Sequence, residues 1–463
     1  MRLAAILIGK GLAVASRRLG RGSGTSYPGL VAEKMHPALI HDLASHLPRG
    51  TALVSGTNGK TTTSKMLADA LRANGHSVVT NGSGSNLRHG VASALIAASD
   101  SLGIGMRGDI GVLEIDEAAM RTVAPMVWAR TVCVTNLFRD QLDRFGDTDS
   151  TAALLGEALA LSPGSVAVLN ADDPVVAGLD SYAANPAFFG ITASSDESAT
   201  KVSGTETAPC PHCGAPVEFA TRSYAHLGDW RCPACKTRRP RLEFHGHDVA
   251  LSPTGSAFTF TCTQGSVRIV LPVPGLHNVY NALAACACGV TLGIPLEVLA
   301  SSLAGFEPAF GRSERFEVEG RHVVLALAKN PVGAQESMRT LGAESSPTAL
   351  GFALNDNDAD GRDVSWIWDV DFEALNVSGT RMVLSGSRAE DLAVRLKYAG
   401  VARNRLTVCR DPARAVRSLA DLMEPGETVH QLASYTAMLE IRDSLVPSDA
   451  RFAHLGKELR HVR

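Results

Sequence analysis

The chain has 463 residues, of which 45% are hydrophobic and 20% are charged, and its formal net charge is −3. This length exceeds the size at which one hydrophobic core keeps growing, so two or three domains are expected. The apolar content excludes a largely disordered chain, and the near-neutral charge gives no electrostatic support for nucleic-acid binding. We therefore expect a folded, multidomain protein with no nucleic-acid partner.

The first nineteen residues mix apolar side chains with four basic ones, Arg2, Lys10, Arg17 and Arg18. The longest uncharged run, Leu3–Gly9, is too short to span a bilayer, and the recurring positive charge does not fit a signal peptide. Two interpretations stay open: a short docking helix, or peripheral contact with an anionic membrane surface. The expected location is the cytoplasm, with any membrane contact at its inner face.

Short apolar runs then alternate with helical patterns, which is typical of a parallel α/β sheet. This alternation lapses at about 194–240 and resumes afterwards, which predicts an insertion into a surrounding domain. The elements predicted before and after the insertion are strands Thr51–Val54, Ile110–Ile115, Thr131–Val134, Ser165–Leu169, Phe258–Thr261 and Val267–Leu271, and helix Thr61–Ala73.

A second alternating unit begins near Glu317 and predicts a smaller Rossmann-like domain. Its predicted elements are strands His322–Leu327, Thr348–Leu354, Met382–Leu384, Leu406–Cys409 and Thr428–Leu432, and helices Ala389–Ala399 and Pro412–Met423. The expected division is an N-terminal segment 1–48, a central domain 49–316 with an insertion at about 205–240, and a C-terminal domain 317–463.

Gly56-Thr57-Asn58-Gly59-Lys60-Thr61-Thr62 follows a predicted strand and opens a predicted helix. A phosphate-binding loop needs this context, because glycines let the backbone approach the phosphates and helix-start amides donate to their oxygens. Lys60 adds a positive charge, and the Thr61 hydroxyl can ligate magnesium. The loop therefore predicts a nucleotide site.

A magnesium–phosphate site also needs an acid from a neighbouring strand end. Glu114 lies within an apolar run, where an unpaired carboxylate is costly, so its position favours a nearby cation. Asp116 and Glu117 follow, and at least one of them is expected to be a solvated loop charge.

Cys210, Cys213, Cys232 and Cys235 form two C-x-x-C pairs separated by eighteen residues. This spacing predicts two knuckles that hold one tetrahedral zinc ion through four thiolates. Two disulfides and a redox role are the alternatives, and His212 is a further possible ligand. The basic residues after the second pair, Lys236, Arg238, Arg239 and Arg241, give some support to nucleic-acid binding, but a structural role in the surrounding domain is favoured.

Taken together, the motifs resemble those of the Mur ligase superfamily and, within it, the MurT-like family of lipid II isoglutaminyl synthase subunits. The match runs along nearly the whole chain. Its motifs are Gly56–Thr62, Glu114–Glu117, Thr135–Gly146, Leu169–Pro174, His277-Asn278, Asn281, Gly311-Arg312, Glu314, Ala328–Pro331 and Asn355–Glu373.

The resemblance implies an α/β fold: a Mur-ligase-like P-loop ATPase domain with a zinc-ribbon insertion, followed by a Rossmann-like C-terminal domain. It makes Lys60 the phosphate lysine and Thr61 and Glu114 magnesium-site residues. It places Asn278 and Asn281 in the nucleotide pocket, although spacing alone also allows helix-start capping. ATP, magnesium and zinc are the implied cofactors, and Arg312 is expected to hold ATP.

Departures from amino-acid-adding Mur ligases indicate another nucleophile. Gln141 stands where those relatives carry a second-metal histidine, no lysine matches the one that they carbamylate, and Ala328–Pro331 replaces an aspartate-bearing motif. The resemblance thus implies amidation of the α-carboxylate of D-isoglutamate in the lipid II stem peptide, with ammonia as nucleophile. A folylpolyglutamate-synthase-like ligase and a zinc-ribbon nucleic-acid-dependent NTPase remain alternatives.

Nothing in the chain resembles a glutaminase nucleophile site, so ammonia is expected from a GatD-like class I glutamine amidotransferase subunit. The acid-rich stretch Asn355–Glu373 follows a predicted strand. There the resemblance makes Asp363 a catalytic aspartate that orients the histidine of the partner's cysteine–histidine pair. The alternative is a solvated loop with Trp366 and Trp368 packed beneath it.

Overall fold

The computed structural model describes most of the chain, and its residues form two compact units, one through Glu307 and one from Glu314 onward. Each unit is described by itself. The described residues are 2–18, 26–81, 85–100, 105–138, 148–192, 208–252, 254–307, 314–318, 320–342, 349–375, 379–424 and 426–445.

A nine-stranded mixed sheet forms the centre of the first unit, in the order β11-β10-β9-β6-β5-β4-β1-β3-β2. All neighbours from β2 to β9 in this order pair in parallel, whereas β9, β10 and β11 are antiparallel. The strands are β1 Thr51–Ser55, β2 Val78–Thr80, β3 Ile110–Glu114, β4 Ala129–Val134, β5 Val166–Asn170, β6 Pro186–Ile191, β9 Phe244–Ser252, β10 Gly255–Cys262 and β11 Gly265–Leu271.

Helices pack around this sheet, and the first three share one buried apolar cluster with later elements, including Leu53, Leu95 and Leu113. Strands β1 and β3 are buried along their whole length, as continuous apolar runs in parallel sheets require. The helices are α1 Arg2–Arg18, α2 Tyr27–Met35, α3 Leu39–Ala44, α4 Lys60–Ala73, α5 Arg88–Ala98, α6 Glu117–Val123, α7 Thr148–Ala160, α8 Pro174–Ala177, α9 Leu276–Thr291 and α10 Leu296–Ala304.

The cysteine segment lies between β6 and β9, which are direct neighbours in the sheet. It forms its own antiparallel hairpin from β7 Glu218–Tyr224 and β8 Leu227–Arg231. The chain thus leaves the sheet after β6 and re-enters it beside the same strand, which confirms an insertion.

A six-stranded sheet in the order β12-β13-β17-β14-β15-β16 forms the second unit, and all its pairings except β12–β13 are parallel. Alternating side chains of β14 contribute Phe352 to one buried cluster and Ala353 to another, so helices cover both faces. The elements are β12 Glu314–Val318, β13 Arg321–Leu327, α11 Pro331–Gly342, β14 Ala349–Ala353, β15 Arg381–Ser385, α12 Ala389–Tyr398, β16 Leu406–Val408, α13 Pro412–Ala420, β17 Thr428–Ala433 and α14 Tyr435–Leu445.

The predicted strands and helices coincide with observed ones to within a few residues, which confirms the α/β class. In the second unit the structure adds α11, α14 and the edge strand β12, and in the first unit it adds strands β2, β6 and β9 and most of the helices. The proposed domain boundaries stay predictions. Within the described residues, no helix has both the length and the apolar character that crossing a membrane requires.

Candidate functional site

Two glycines shape the loop between β1 and α4. Gly56 and Gly59 have φ values of +125° and +86°, a region that side-chain-bearing residues rarely adopt. A β-carbon on Gly56 would overlap the Thr135 hydroxyl, and one on Gly59 would overlap Oδ1 of Asn281. The sequence therefore places glycine where the loop must turn and where its neighbours approach its backbone.

Lys60 begins α4, and its ammonium group is buried against the loop that it closes. Its Nζ donates to the Gly56 carbonyl and lies 3.1 and 3.2 Å from the two carboxylate oxygens of Glu117. Both side chains are about 10% exposed or less, so each compensates the charge of the other inside the protein. Glu117 therefore belongs to the site, a role that the sequence left undecided.

The end of β4 holds the loop from the other side. The Asn58 amide donates to Oδ1 of Asn136 at 2.9 Å, and the Thr135 hydroxyl donates to the Asn58 carbonyl at 2.8 Å. The Thr57 hydroxyl donates to the Phe138 carbonyl at 3.3 Å and accepts from the Phe138 amide at 3.1 Å. Thr135, Asn136 and Phe138 thus fix the loop through hydrogen bonds.

The candidate magnesium ligands lie at two adjacent strand ends. Glu114 closes β3 opposite Val54 of β1, and Asn81 brackets its backbone with hydrogen bonds to the Glu114 amide and carbonyl. The Glu114 side chain is buried, and its carboxylate makes no hydrogen bond with the residues that the structure describes. Thr61 is partly exposed at the start of α4, whereas Thr62 is buried.

Asp116 caps α6, because its carboxylate accepts a hydrogen bond from the Ala118 amide. Within the Glu114–Glu117 motif, Asp116 therefore has a local structural role. The sequence predicted that at least one of Asp116 and Glu117 is a solvated loop charge. Asp116 is partly exposed at the start of α6, whereas Glu117 is buried against Lys60.

Of the two predicted asparagines of α9, Asn281 lies beside the phosphate loop and donates from Nδ2 to Oδ1 of Asn278 at 3.3 Å. Asn281 Oδ1 faces Gly59, and the Asn281 carbonyl accepts from the Thr63 hydroxyl at 3.4 Å. Asn278 donates from Nδ2 to the Pro274 carbonyl at 2.7 Å, and α9 begins without a side-chain cap. Asn278 thus makes a local contact at the helix start, whereas Asn281 faces the phosphate loop. Arg312 lies outside the described residues.

We expect Gly59→Ala to destabilise the protein by more than Gly75→Ala. Both glycines have positive φ, at +86° and +85°, so both variants lose about 1 kcal/mol of conformational free energy. A β-carbon on Gly75 meets nothing within 4 Å, whereas one on Gly59 meets Asn281. Denaturant unfolding of the two variants measures this difference, and equal losses would contradict the close packing of α9 on the loop.

The four predicted cysteines lie together. Their Sγ atoms are all within 4.8 Å of one another, and all four are free thiols. The two pairs share one backbone pattern: the Gly214 amide donates to the Cys210 carbonyl at 2.9 Å, and the Lys236 amide to the Cys232 carbonyl at 3.1 Å. A donor set of four sulfurs in two matching knuckles fits a tetrahedral zinc ion.

Thr237 favours the ionised form of one thiol of the cluster, whereas burial raises the pKa of Cys210. The hydroxyl and backbone amide of Thr237 donate to Cys235 and lower the pKa of its thiol to about 6, which favours the thiolate that metals bind. His212 is exposed and lies outside the thiol cluster.

The tip of the hairpin in the cysteine segment packs on Phe138, a residue that holds the phosphate loop. The His226 ring lies edge-on to the Phe138 ring at 4.9 Å between centroids, and Tyr224 lies 5.9 Å from the same ring. Phe138 is the residue whose backbone holds Thr57. Phe138 therefore connects the hairpin tip to the phosphate loop.

Buried charge fastens the same hairpin to the sheet. Fully buried Asp172 accepts from Arg239 at 2.7 Å and from the Tyr280 hydroxyl at 2.6 Å, and burial raises the pKa of Asp172. Trp230 donates from Nε1 to the Ala171 carbonyl at 2.9 Å. Arg239 is thus used inside the protein, which removes one of the basic residues that had supported nucleic-acid binding.

Asp363 lies in the second unit, exposed after β14. Its carboxylate accepts from the Ser365 amide at 2.8 Å, and this bond together with one to the Ser365 side chain lowers the pKa of Asp363. Asp360 differs: it is 6% exposed and accepts from the Thr436 amide and hydroxyl. Asp360 thus fixes the loop, and Asp363 presents an ionised carboxylate at the surface.

The tryptophans of this loop differ in the same way. Trp366 is partly buried and packs against Phe352, with 6.4 Å between ring centroids, whereas Trp368 is 49% exposed. Packing beneath the loop therefore accounts for Trp366, whereas Trp368 stays half-exposed although its ring contacts Tyr398 and Arg395.

Comparison with known proteins places these features in a family. The model of the Mur ligase middle domain matches residues 54–215, and that of the MurT ligase C-terminal domain matches residues 327–438. The Lipid II isoglutaminyl synthase (glutamine-hydrolyzing) subunit MurT of Streptococcus pneumoniae is 32% identical, over 95% of this chain and 96% of its own. The Staphylococcus aureus (strain COL) subunit is also 32% identical, over 92% and 94%.

Among solved structures, MurF from Acinetobacter baumannii superposes with a TM-score of 0.65 at 18% identity, over 89% of this chain and 80% of its own. That likeness shows the shared fold. The full-length identity to the two subunits shows the family, and the chain therefore belongs to the Mur ligase family, within its MurT group of lipid II isoglutaminyl synthase subunits.

Proposed function

We propose that this chain is the ATP-dependent ligase subunit that amidates the α-carboxylate of D-isoglutamate in the stem peptide of lipid II. The full-length likeness to glutamine-hydrolysing lipid II isoglutaminyl synthase subunits carries this proposal. The phosphate loop, with Lys60 buried beside Glu117, supports the ATP-dependent part of it.

The reaction needs two steps. A carboxylate oxygen of the substrate attacks the γ-phosphorus of ATP, ADP leaves, and an acyl phosphate forms. Ammonia then attacks the carbonyl carbon, the C–O bond to phosphate breaks, and the nitrogen loses a proton to give the carboxamide. The first step is required because a carboxylate has no leaving group for ammonia to displace.

Several residues have proposed roles in the first step. The amides of Gly56–Thr62 would donate to phosphate oxygens, while Lys60 would exchange part of its contact with Glu117 for the more highly charged phosphates. Thr61 and Glu114 would hold magnesium, which neutralises charge on the transferred phosphoryl group. Asn278, Asn281 and Arg312 are proposed to complete the nucleotide pocket.

Ammonia is proposed to come from a GatD-like class I glutamine amidotransferase subunit. The relatives are named as subunits of a glutamine-hydrolysing enzyme, which supports a glutaminase partner. Asp363, exposed and ionised, is proposed to orient the histidine of that partner's catalytic pair. A carboxylate so placed fixes the imidazole tautomer and stabilises the imidazolium form.

The nitrogen donor separates this proposal from an amino-acid ligase. Purified chain with ATP, magnesium and lipid II should convert the α-carboxylate to a carboxamide when ammonium is supplied and should leave glutamate unincorporated. Mass spectrometry of the stem peptide distinguishes the two products. Addition of a glutamate residue would overturn the proposal in favour of a folylpolyglutamate-synthase-like activity.

We propose that Cys210, Cys213, Cys232 and Cys235 hold one structural zinc ion. Cys232→Ser should lose the metal and loosen the hairpin whose tip packs on Phe138, so ATP affinity should fall by about tenfold. Elemental analysis and nucleotide-binding titration measure the two effects. His212→Ala, a change inside a knuckle but outside the thiol cluster, should retain both zinc and affinity. Absence of zinc from protein purified under reducing conditions would refute the assignment.

A further inference from the structure

The outer face of α1 exposes a run of large apolar side chains. Leu3, Leu7 and Val14 are 44%, 51% and 43% exposed, and their spacing of four and seven residues places them on one side of the helix. Ile8, at 43%, widens this stripe, and a β-carbon at Gly11 would meet nothing within 4 Å. Described residues of the chain thus leave this side of α1 uncovered.

The opposite face of the same helix is firmly packed. Ala5 and Ile6 are fully buried in the core of the first unit, and Gly9 lies against Ile96 of α5. Lys10 donates from Nζ to the carbonyls of Ser99 and Asp100, at 2.7 Å each. The inner face therefore packs α1 onto the first unit, and the apolar stripe on the other face points away from the core.

The N-terminal segment is basic in its sequence. The first acidic residue of the chain is Glu33, whereas residues 1–32 contain five basic ones, Arg2, Lys10, Arg17, Arg18 and Arg21. A helix with an exposed apolar side and an excess of basic residues has the character of helices that lie in the interface of anionic bilayers. Positive charge near such a surface adds attraction that a neutral surface does not offer.

We propose that α1 docks this protein on an anionic phospholipid surface, with Leu3, Leu7, Ile8 and Val14 inserted among the headgroups. The helix lies on the bilayer and does not cross it. The proposed substrate is lipid-linked, so this contact would keep the ligase at the surface where the substrate is found. Membrane docking is a separate property from amidation, and its test needs neither ATP nor lipid II.

Sedimentation with vesicles tests the proposal. The full-length chain should bind vesicles of phosphatidylglycerol and phosphatidylcholine, bind pure phosphatidylcholine vesicles far less, and lose binding as salt rises. Leu3→Ser/Leu7→Ser should weaken binding by about tenfold for each leucine, because each loses its apolar contact with the lipid. Circular dichroism and thermal unfolding should match those of the unchanged protein, since both side chains are exposed.

Leu251→Ser/Val270→Ser is the matched control, because these two residues of β9 and β11 are each 53% exposed in the same unit. This control should bind vesicles as the unchanged protein does. Equal losses in both double variants, or no binding to anionic vesicles, would overturn the proposal. So would a Leu3→Ser/Leu7→Ser protein that binds vesicles normally but fails to bind its glutaminase partner, since the stripe would then be a protein interface.

Discussion

Replacing Lys60 by alanine is expected to lower the rate of amidation by at least about a hundredfold, because the lost charge would act on the transferred phosphoryl group. The geometry adds a second effect. Lys60 is the cation beside the buried Glu117 carboxylate, so its removal should also reduce the free energy of unfolding by about 1–3 kcal/mol. Steady-state turnover and denaturant unfolding measure these effects separately.

Two further variants separate chemistry from folding. Lys60→Ala/Glu117→Gln should recover part of the stability, because no carboxylate is then left beside the missing cation, while amidation stays lost. Lys65→Ala, on the same helix and paired with Asp69 at 2.7 Å, should leave turnover close to normal. Near-normal turnover in a folded Lys60→Ala protein would remove the phosphate assignment.

Replacing Asp363 by asparagine is expected to lower glutamine hydrolysis and glutamine-driven amidation by about a thousandfold or more, by analogy with loss of the carboxylate from a catalytic triad. Asp363 is exposed and held by Ser365, so the protein should fold, bind ATP and form the complex as before. Free ammonia should partly restore product, because the ligase site in this chain is unchanged. Paired assays with glutamine and with ammonium measure the difference.

Asp358→Asn provides the comparison within the same loop. Asp358 is exposed and pairs with Arg362 at 2.6 Å, so its loss removes a surface charge and little else. This variant should keep glutamine-driven activity. An intact Asp363→Asn complex with unchanged glutaminase activity would return Asp363 to a purely structural role.

Much of the fold could be predicted because its signals are local. The runs Thr51–Val54 and Ile110–Ile115 are continuous apolar segments, and both became fully buried parallel strands. The edge strand β12, Glu314–Val318, reads as Glu-Arg-Phe-Glu-Val and is only partly buried. Its strand conformation comes from pairing with β13. The sequence of residues 314–318 alone does not reveal this pairing.

Parts of the candidate site whose residues are close together in the sequence could be predicted from their spacing. Parts that depend on tertiary contacts could not. The two C-x-x-C pairs give the thiol cluster directly, because four thiolates at that spacing have few other uses. Glu117 was left undecided between site and loop, because only the pairing of β3 beside β1 brings the start of α6 to Lys60. Asp172 and Arg239, which are 67 residues apart in the chain, meet through the return of the cysteine segment to the sheet.

The most direct measurement follows nitrogen from glutamine to the product. The chain, combined with its glutaminase partner, ATP, magnesium and lipid II, should be given glutamine labelled with ¹⁵N in the side-chain amide. We expect the label in the α-carboxamide that replaces the α-carboxylate of D-isoglutamate, in proportion to the ADP released. ATP consumption without label in that carboxamide, or label in an added amino acid, would contradict the proposed reaction.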